Sequence, residues 1–170
     1  MDLTLRTMKP ADWDAVRRIY QEGLATGLAS FETEAPTWQD WDSAHHLHSR
    51  LVACRGDQVV AWAALSPVSR RNCYAGVAEF SIYVARDQRG QSVGRTLLQA
   101  LIASSEKHGI WTLYSSTFPE NQASIRLQTS CGFRIVGRRE KIAQHHGVWR
   151  DTIITERRSQ VVGVASEGEA

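Results

Sequence analysis

The sequence predicts an α/β fold on one mixed sheet, with elements in the order β-α-α-β-β-β-α-β-α-β-β and helices on both faces. Three observations carry this. Glu79-Phe80-Ser81-Ile82-Tyr83-Val84 alternates two faces as a strand does, Phe80, Ile82 and Val84 on one and Glu79, Ser81 and Tyr83 on the other. That run passes through the short glycine loop DQRGQSVG into Val93, Leu97, Leu98, Leu101 and Ile102, which are apolar at helical spacing. Gly56-Asp57 lies between two apolar runs in RLVACRGDQVVAWAALS, the pattern of a hairpin.

The elements follow in chain order. Leu3 and Leu5 open a short strand, and Pro10 and Asp12 start a helix carrying Val16, Ile19, Tyr20 and Gly23. ATGLASFETEAPT, with Gly27 and Pro36 and no period, reads as a loop into a second helix through Trp38, Trp41 and Leu47. After the hairpin come the Glu79 strand, the glycine loop and a long helix ending near Gly109. IWTLYSSTF is a further strand, ENQASIRLQTSCGF a short helix closed by Gly132, and two strands follow around Phe133–Glu140 and Val148–Glu156. SQVVGVASEGEA has no periodic anchor and is expected to fray. A chain of 170 residues suffices for one core but not two. The expectation is one domain over 1–158 and a flexible tail over 159–170.

Net charge is +2, from 20 basic and 18 acidic residues, so any anion site must be local and no nucleic-acid partner is expected. Cys54, Cys73 and Cys131 lack disulfide or metal spacing, and His45, His46, His48, His145 and His146 lack a metal-binding pattern, so no metal is expected. The charged start MDLTLRTMKPADW has no signal-peptide core, and no apolar run reaches membrane-spanning length. A cytoplasmic protein without a membrane partner is the expectation.

The loop between the Glu79 strand and the long helix ends in the unpaired N–H donors of a helix N-terminus, and these favour an anion. It matches neither the P-loop nor the dinucleotide fingerprint. Instead, Arg89-Gly90-Gln91-Ser92-Val93-Gly94 resembles the Q/R-x-x-G-x-G/A pyrophosphate loop of the Gcn5-related N-acetyltransferases, with Ser92 in place of the middle glycine. ASFETEAPT, SRRNCYAGVAEFSIYV, NQASIRLQTSCGF and GVWRD extend the resemblance from Leu3 to about Arg158, towards the phosphinothricin acetyltransferase-like group. TGLASFETEAPTW, AALSPVS, GIWTL and GVWRD are most similar to arsinothricin N-acetyltransferases.

The resemblance implies the acyl-CoA N-acyltransferase fold and an acetyl-CoA-dependent enzyme that detoxifies a small glutamate-like amino acid by acetylating its α-amino group. Phosphinothricin, arsinothricin and methionine sulfoximine or sulfone are the substrate types. Glu79 takes the general-base position, acting directly or through water on an ammonium whose reference pKa is near ~8. Arg89, Gly90, Gln91, Ser92, Val93, Gly94 and Arg95 would hold the pyrophosphate. Ile82, Tyr83 and Val84 would lie along the pantetheine arm, with Asn121 helping to seat it. Arg71, or Arg70, with Asn72 and Tyr74, would bind the acidic head, and Phe31 would wall the pocket. Gln128 stands where relatives often carry tyrosine or histidine. A glutamine cannot give up a proton, but a thiolate of pKa near ~8.5 leaves without much help. The group forms homodimers, with Trp149 of GVWRD as the candidate contact. Acetylation of a peptide or protein N-terminus and non-catalytic acyl-CoA sensing are the alternative functions.

Overall fold

The computed structural model describes residues 2–164; the remainder of the expected tail, 165–170, lies outside the described residues. The strands are β1 (Leu3–Thr7), β2 (Leu51–Arg55), β3 (Gln58–Pro67), β4 (Val77–Val84), β5 (Thr112–Thr117), β6 (Arg134–His145) and β7 (Val148–Arg158). The helices are α1 (Trp13–Leu24), α2 (Trp38–Ala44), α3 (Val93–Lys107) and α4 (Gln122–Ser130). One seven-stranded sheet runs β1-β2-β3-β4-β5-β7-β6, with β4–β5 as its parallel pair and the other neighbours antiparallel.

The period-2 alternation read from β4 decides what each face meets. Phe80, Ile82 and Val84 pack with Leu97, Leu98 and Leu101 of α3, while Tyr83 packs with Ile19 of α1 and Trp41 of α2. Central β3 serves both layers, Ala61, Ala63 and Leu65 on the α3 side and Trp62 and Ala64 on the other. It is therefore almost continuously buried.

Three boundaries differ from expectation. The second helix stops at Ala44, and Leu47 is 84 % exposed. There His45 turns extended, and the buried Arg50 guanidinium collects His46 O at 2.6 Å, Asp42 O at 2.9 Å and His45 O at 3.0 Å, besides pairing with the Asp42 carboxylate. These carbonyls bend around a cation instead of continuing a helix. The penultimate strand reaches His145, because a register shift between Arg139 and Ala143 lets pairing with β7 resume. Finally, the first part of the expected frayed tail is tied down. Ser159 is buried, its N–H donating to Trp111 O at 2.7 Å and its hydroxyl to Glu106 at 2.9 Å, while Arg158 donates to the carbonyls of Val162 and Gly163.

Candidate active site

β4 and β5 pair only at Val77↔Thr112, Ala78↔Leu113 and Glu79↔Tyr114. Beyond that rung β4 runs on to Val84 held by β3, and β5 to Thr117 held by β7, so the two strands part like a fork. The Ala85 N–H donates to Val60 O at 2.8 Å, and ladder alternation therefore turns the main-chain groups of Ile82 and Val84 away from β3 into the gap. An extended arm laid there would find a strand edge to bond with. The gap is part of a cleft of about 830 Å³, lined by Glu79 to Val84, Ser115 to Phe118, the Thr26 and Leu28–Glu32 segment, Asn121 and the start of α3.

One end of the cleft is the glycine loop. Gly90 (φ +74°) and Ser92 (φ +62°) both adopt the left-handed conformation, and Ser92 caps α3 without a side-chain hydrogen bond. The loop therefore turns tightly and leaves the first N–H groups of α3 free of any side-chain cap. This is a cradle for a phosphate group, and it fits the diphosphate of a coenzyme A donor. Gly94 packs closely: a Cβ would lie 3.3 Å from Leu127 Cδ2 and 3.5 Å from Val84 Cγ2, so the Leu127 methyl would have to give slightly. Arg89, Gly90, Ser92, Val93, Gly94 and Arg95 line the cleft. Gln91 does not, because its amide is turned outward to Asp87 O at 2.9 Å and the Arg55 guanidinium at 3.1 Å.

At the fork stands Glu79, half-buried, with the Tyr114 hydroxyl donating to its Oε2 at 3.2 Å. Burial pushes its carboxyl above the ordinary carboxylate range; the Tyr114 hydrogen bond and the positive charge of Arg139 hold back part of the rise. Such a group, once ionised, is a stronger base than a free glutamate. Tyr83 lies on the same face, stacked on Trp62 at 4.9 Å between ring centroids and 4.7 Å from Tyr20. Burial pushes its phenol further up, so it stays protonated and has little tendency to act as an acid.

Phe31 and Asn121 belong to the cleft wall. Phe31 meets Phe118 edge-on at 4.8 Å, and the Arg150 guanidinium covers the Phe118 ring at 4.1 Å. Asn121 caps α4 by accepting from Ser124 N at 3.2 Å and donates to Leu28 O at 3.1 Å, tying that helix to the Phe31 loop. Gln128 lines the cleft, yet its amide is spent: it donates to Thr117 Oγ1 at 3.1 Å and Ser124 Oγ at 3.0 Å, and accepts from the Thr155 hydroxyl. Its position supports packing of α4 on the sheet.

Arg70, Arg71, Asn72 and Tyr74 are not brought into the cleft within this chain. They occupy an exposed turn between β3 and β4, where Arg71 lies over the Tyr74 ring at 5.6 Å. Among the described residues none covers the turn to direct these side chains inward. Conversely, the sequence reading passed over Tyr114, Arg139 and Thr152. Their signal was period-2 alternation in the β5, β6 and β7 segments, but it becomes legible only once the strand register is known.

A splayed parallel pair, a tight turn at the start of a helix and a half-buried carboxylate at the fork match what an acyltransferase site needs. Residues 13–133 match the acetyltransferase (GNAT) family, and the chain belongs to it. The chain is similar to the phosphinothricin N-acetyltransferase of Alcaligenes faecalis, with 34 % identity over 91 % of this chain and 81 % of that one. The L-methionine sulfoximine/L-methionine sulfone acetyltransferase of Pseudomonas paraeruginosa is 27 % identical over 89 % of this chain and 91 % of its own. A solved phosphinothricin acetyltransferase from Sinorhizobium meliloti, in complex with AcCoA, superposes with a TM-score of 0.85 at 25 % identity, covering 99 % of this chain and 95 % of that one. The acyl donor is acetyl-CoA. Among the described residues no helix is long and apolar enough to cross a membrane, and no group of three or more His, Cys, Asp or Glu is placed to hold a metal.

Proposed function

We propose that this chain acetylates the α-amino group of a small acidic amino acid of the phosphinothricin or methionine sulfoximine type, and that arsinothricin is among its acceptors. The observation that carries this is Glu79: a half-buried carboxylate on the last paired rung before the fork, with its pKa raised and Tyr114 holding its orientation. Glu79 takes the proton from the acceptor ammonium at the point where the gap meets the chamber under the Phe31 loop. Ile82 and Val84 offer main-chain groups to the pantetheine arm, and the loop from Arg89 to Arg95 binds the diphosphate chiefly through N–H groups. Acetyl-CoA supplies the acyl group as a thioester. The chain's own residues orient the donor, exclude water and hold the departing amine proton.

The relatives act on free amino-acid analogues by their names, which favours a small acceptor over a peptide N-terminus. Three free cysteines accord with a reducing cytoplasm as the working compartment. Homodimerisation uses the β6–β7 hairpin. Here β6 is an edge strand 12 residues long, and Ile135, Ile142, Val148 and Trp149 stand 54 %, 49 %, 60 % and 56 % exposed.

The test is a turnover assay with acetyl-CoA against phosphinothricin, arsinothricin, methionine sulfoximine, glutamate and an alanine-led peptide. Acetylation of an acidic analogue supports the proposal. Exclusive use of the peptide, or acetyl-CoA binding without turnover, overturns it. A dimeric mass that falls to the monomer in Trp149→Ala supports the interface, and a monomeric wild type refutes it.

A further inference from the structure

Thr152 is 1 % exposed and lines the cleft, yet its hydroxyl has no hydrogen-bond partner. A hydroxyl enclosed without a partner forfeits about 1–3 kcal/mol, so its presence asks for an occupant that supplies the missing bond. Thr155, on the other face of the same strand, is fully used by Gln128. The sheet register shows which face Thr152 serves. Thr155 stands opposite Ser115 and faces α4 with it, so Thr152 lies on the opposite face, the one that carries Tyr114 and Glu79.

Directly across from Thr152 on β6 is Arg139, on that same face. The other arginines of the hairpin are engaged: Arg134 with Glu156, Arg138 with Asp151, Arg150 with Glu120, Arg157 with Glu106, and Arg158 with main-chain carbonyls. Among the described residues Arg139 has no such partner; it is exposed and outside the residues that line the cleft, and its charge acts on the Glu79 carboxyl. A planar guanidinium beside a hydroxyl donor is matched to a carboxylate. In an α-amino acid the carboxylate oxygens lie only about 3 Å from the amine, a hydrogen-bond length, so a base that reaches the amine requires a carboxylate receptor close beside it.

We propose that the Arg139–Thr152 rung anchors the α-carboxylate of the acceptor, and so makes the enzyme select intact α-amino acids over amines that lack this group. The inference rests on the reading of the cleft as an acetyl-transfer site. It assigns the anion receptor nearest the reacting amine to β6 and β7, not to the Arg71 turn.

The experiment compares phosphinothricin with its α-carboxamide, both for kcat/KM and for binding by calorimetry with coenzyme A present. The wild type is expected to prefer the free acid by about 100-fold, the ratio that a charge-assisted pair of hydrogen bonds supports. Arg139→Gln is expected to reduce that preference to less than about fivefold, and Thr152→Val, which keeps the shape, to reduce it about tenfold. In Thr152→Val acetyl-CoA affinity is expected to stay unchanged and Tm to rise, since the unpaired hydroxyl is gone. Equal losses for acid and carboxamide, or a preference surviving in Arg139→Gln, overturn the anchor, as does a preference lost only in Arg71→Ala. If the wild type acetylates neither compound, the proposed function fails. The binding preference then still supports or refutes the anchor by itself.

Discussion

At one end of the cleft, Arg89 to Gly94 presents main-chain N–H groups from a single continuous stretch, whereas at the other Glu79 and Thr152 line the wall, with Tyr114 bonded to Glu79 and the exposed Arg139 on the Thr152 rung, so that four different strands contribute. The first end depends on backbone conformation, so it accepts a change of side chain: Ser92 keeps the left-handed turn at φ +62° where a glycine would hold it without strain. The second end depends on which atoms sit at which rung, so a change of one side chain alters its chemistry. Backbone recognition suits a ligand that never varies. Side-chain recognition suits an acceptor that differs between enzymes on one scaffold.

The contrast breaks most sharply at Glu79. Glu79→Gln is expected to lower turnover about 10²-fold or more at neutral pH, with acetyl-CoA affinity unchanged in calorimetry. The loss should shrink as pH rises and the amine deprotonates without help; a pH-independent loss would remove Glu79 from proton transfer. Next in size is Gln128→Ala, which strands the hydroxyls of Thr117, Ser124 and Thr155 and opens a cavity. A destabilisation of about 2–4 kcal/mol is expected in denaturant unfolding, with kcat of the folded fraction nearly preserved. A wild-type midpoint with collapsed turnover would instead give Gln128 a direct part in the reaction.

Ser92→Gly tests the coenzyme end. Removing the Cβ from a left-handed residue is expected to stabilise the fold by about 1 kcal/mol, and to change the acetyl-CoA Kd by less than about tenfold. A larger change in Kd would show that the hydroxyl touches the ligand. The smallest effect is the most diagnostic of the acceptor end. As the proposed base Glu79 works ionised, and the Tyr114 hydrogen bond lowers its pKa against the upward push of burial. Tyr114→Phe therefore raises the Glu79 pKa further, and the acidic limb of the kcat/KM profile moves to higher pH. The sign for stability follows the same direction. Because the folded pKa lies above the unfolded one, Glu79 contributes most below the ordinary carboxylate pKa, and this is lost as pH rises through the folded value.

The Glu79 strand, its alternation and the glycine loop opening α3 were legible because each is local: a period of two, a period of 3.6 and a turn composition within about twenty residues. Glu79, Asn121 and Phe31, each singled out in a short continuous stretch that resembles a known enzyme, all line the cleft, but which wall each occupies follows from the packing. The end of α2 was not, since it depends on Arg50 gathering carbonyls from residues four to eight positions earlier. The surroundings of Arg71 were not legible, because an arginine in a turn looks alike whether the turn faces a cleft or water; within this chain it is exposed.

By itself, then, the sequence determined the order of elements, the glycine turn that opens α3 and the carboxylate on the strand before it, because these follow from backbone preferences acting between near neighbours. Only the tertiary structure decided that β4 and β5 part at Glu79, that Gln128 is buried in a hydroxyl network, and that Arg139 and Thr152 share a rung on the Glu79 face. The reason is register. Sliding one strand by a single residue exchanges its two faces, and that choice is made by the packing of both layers together.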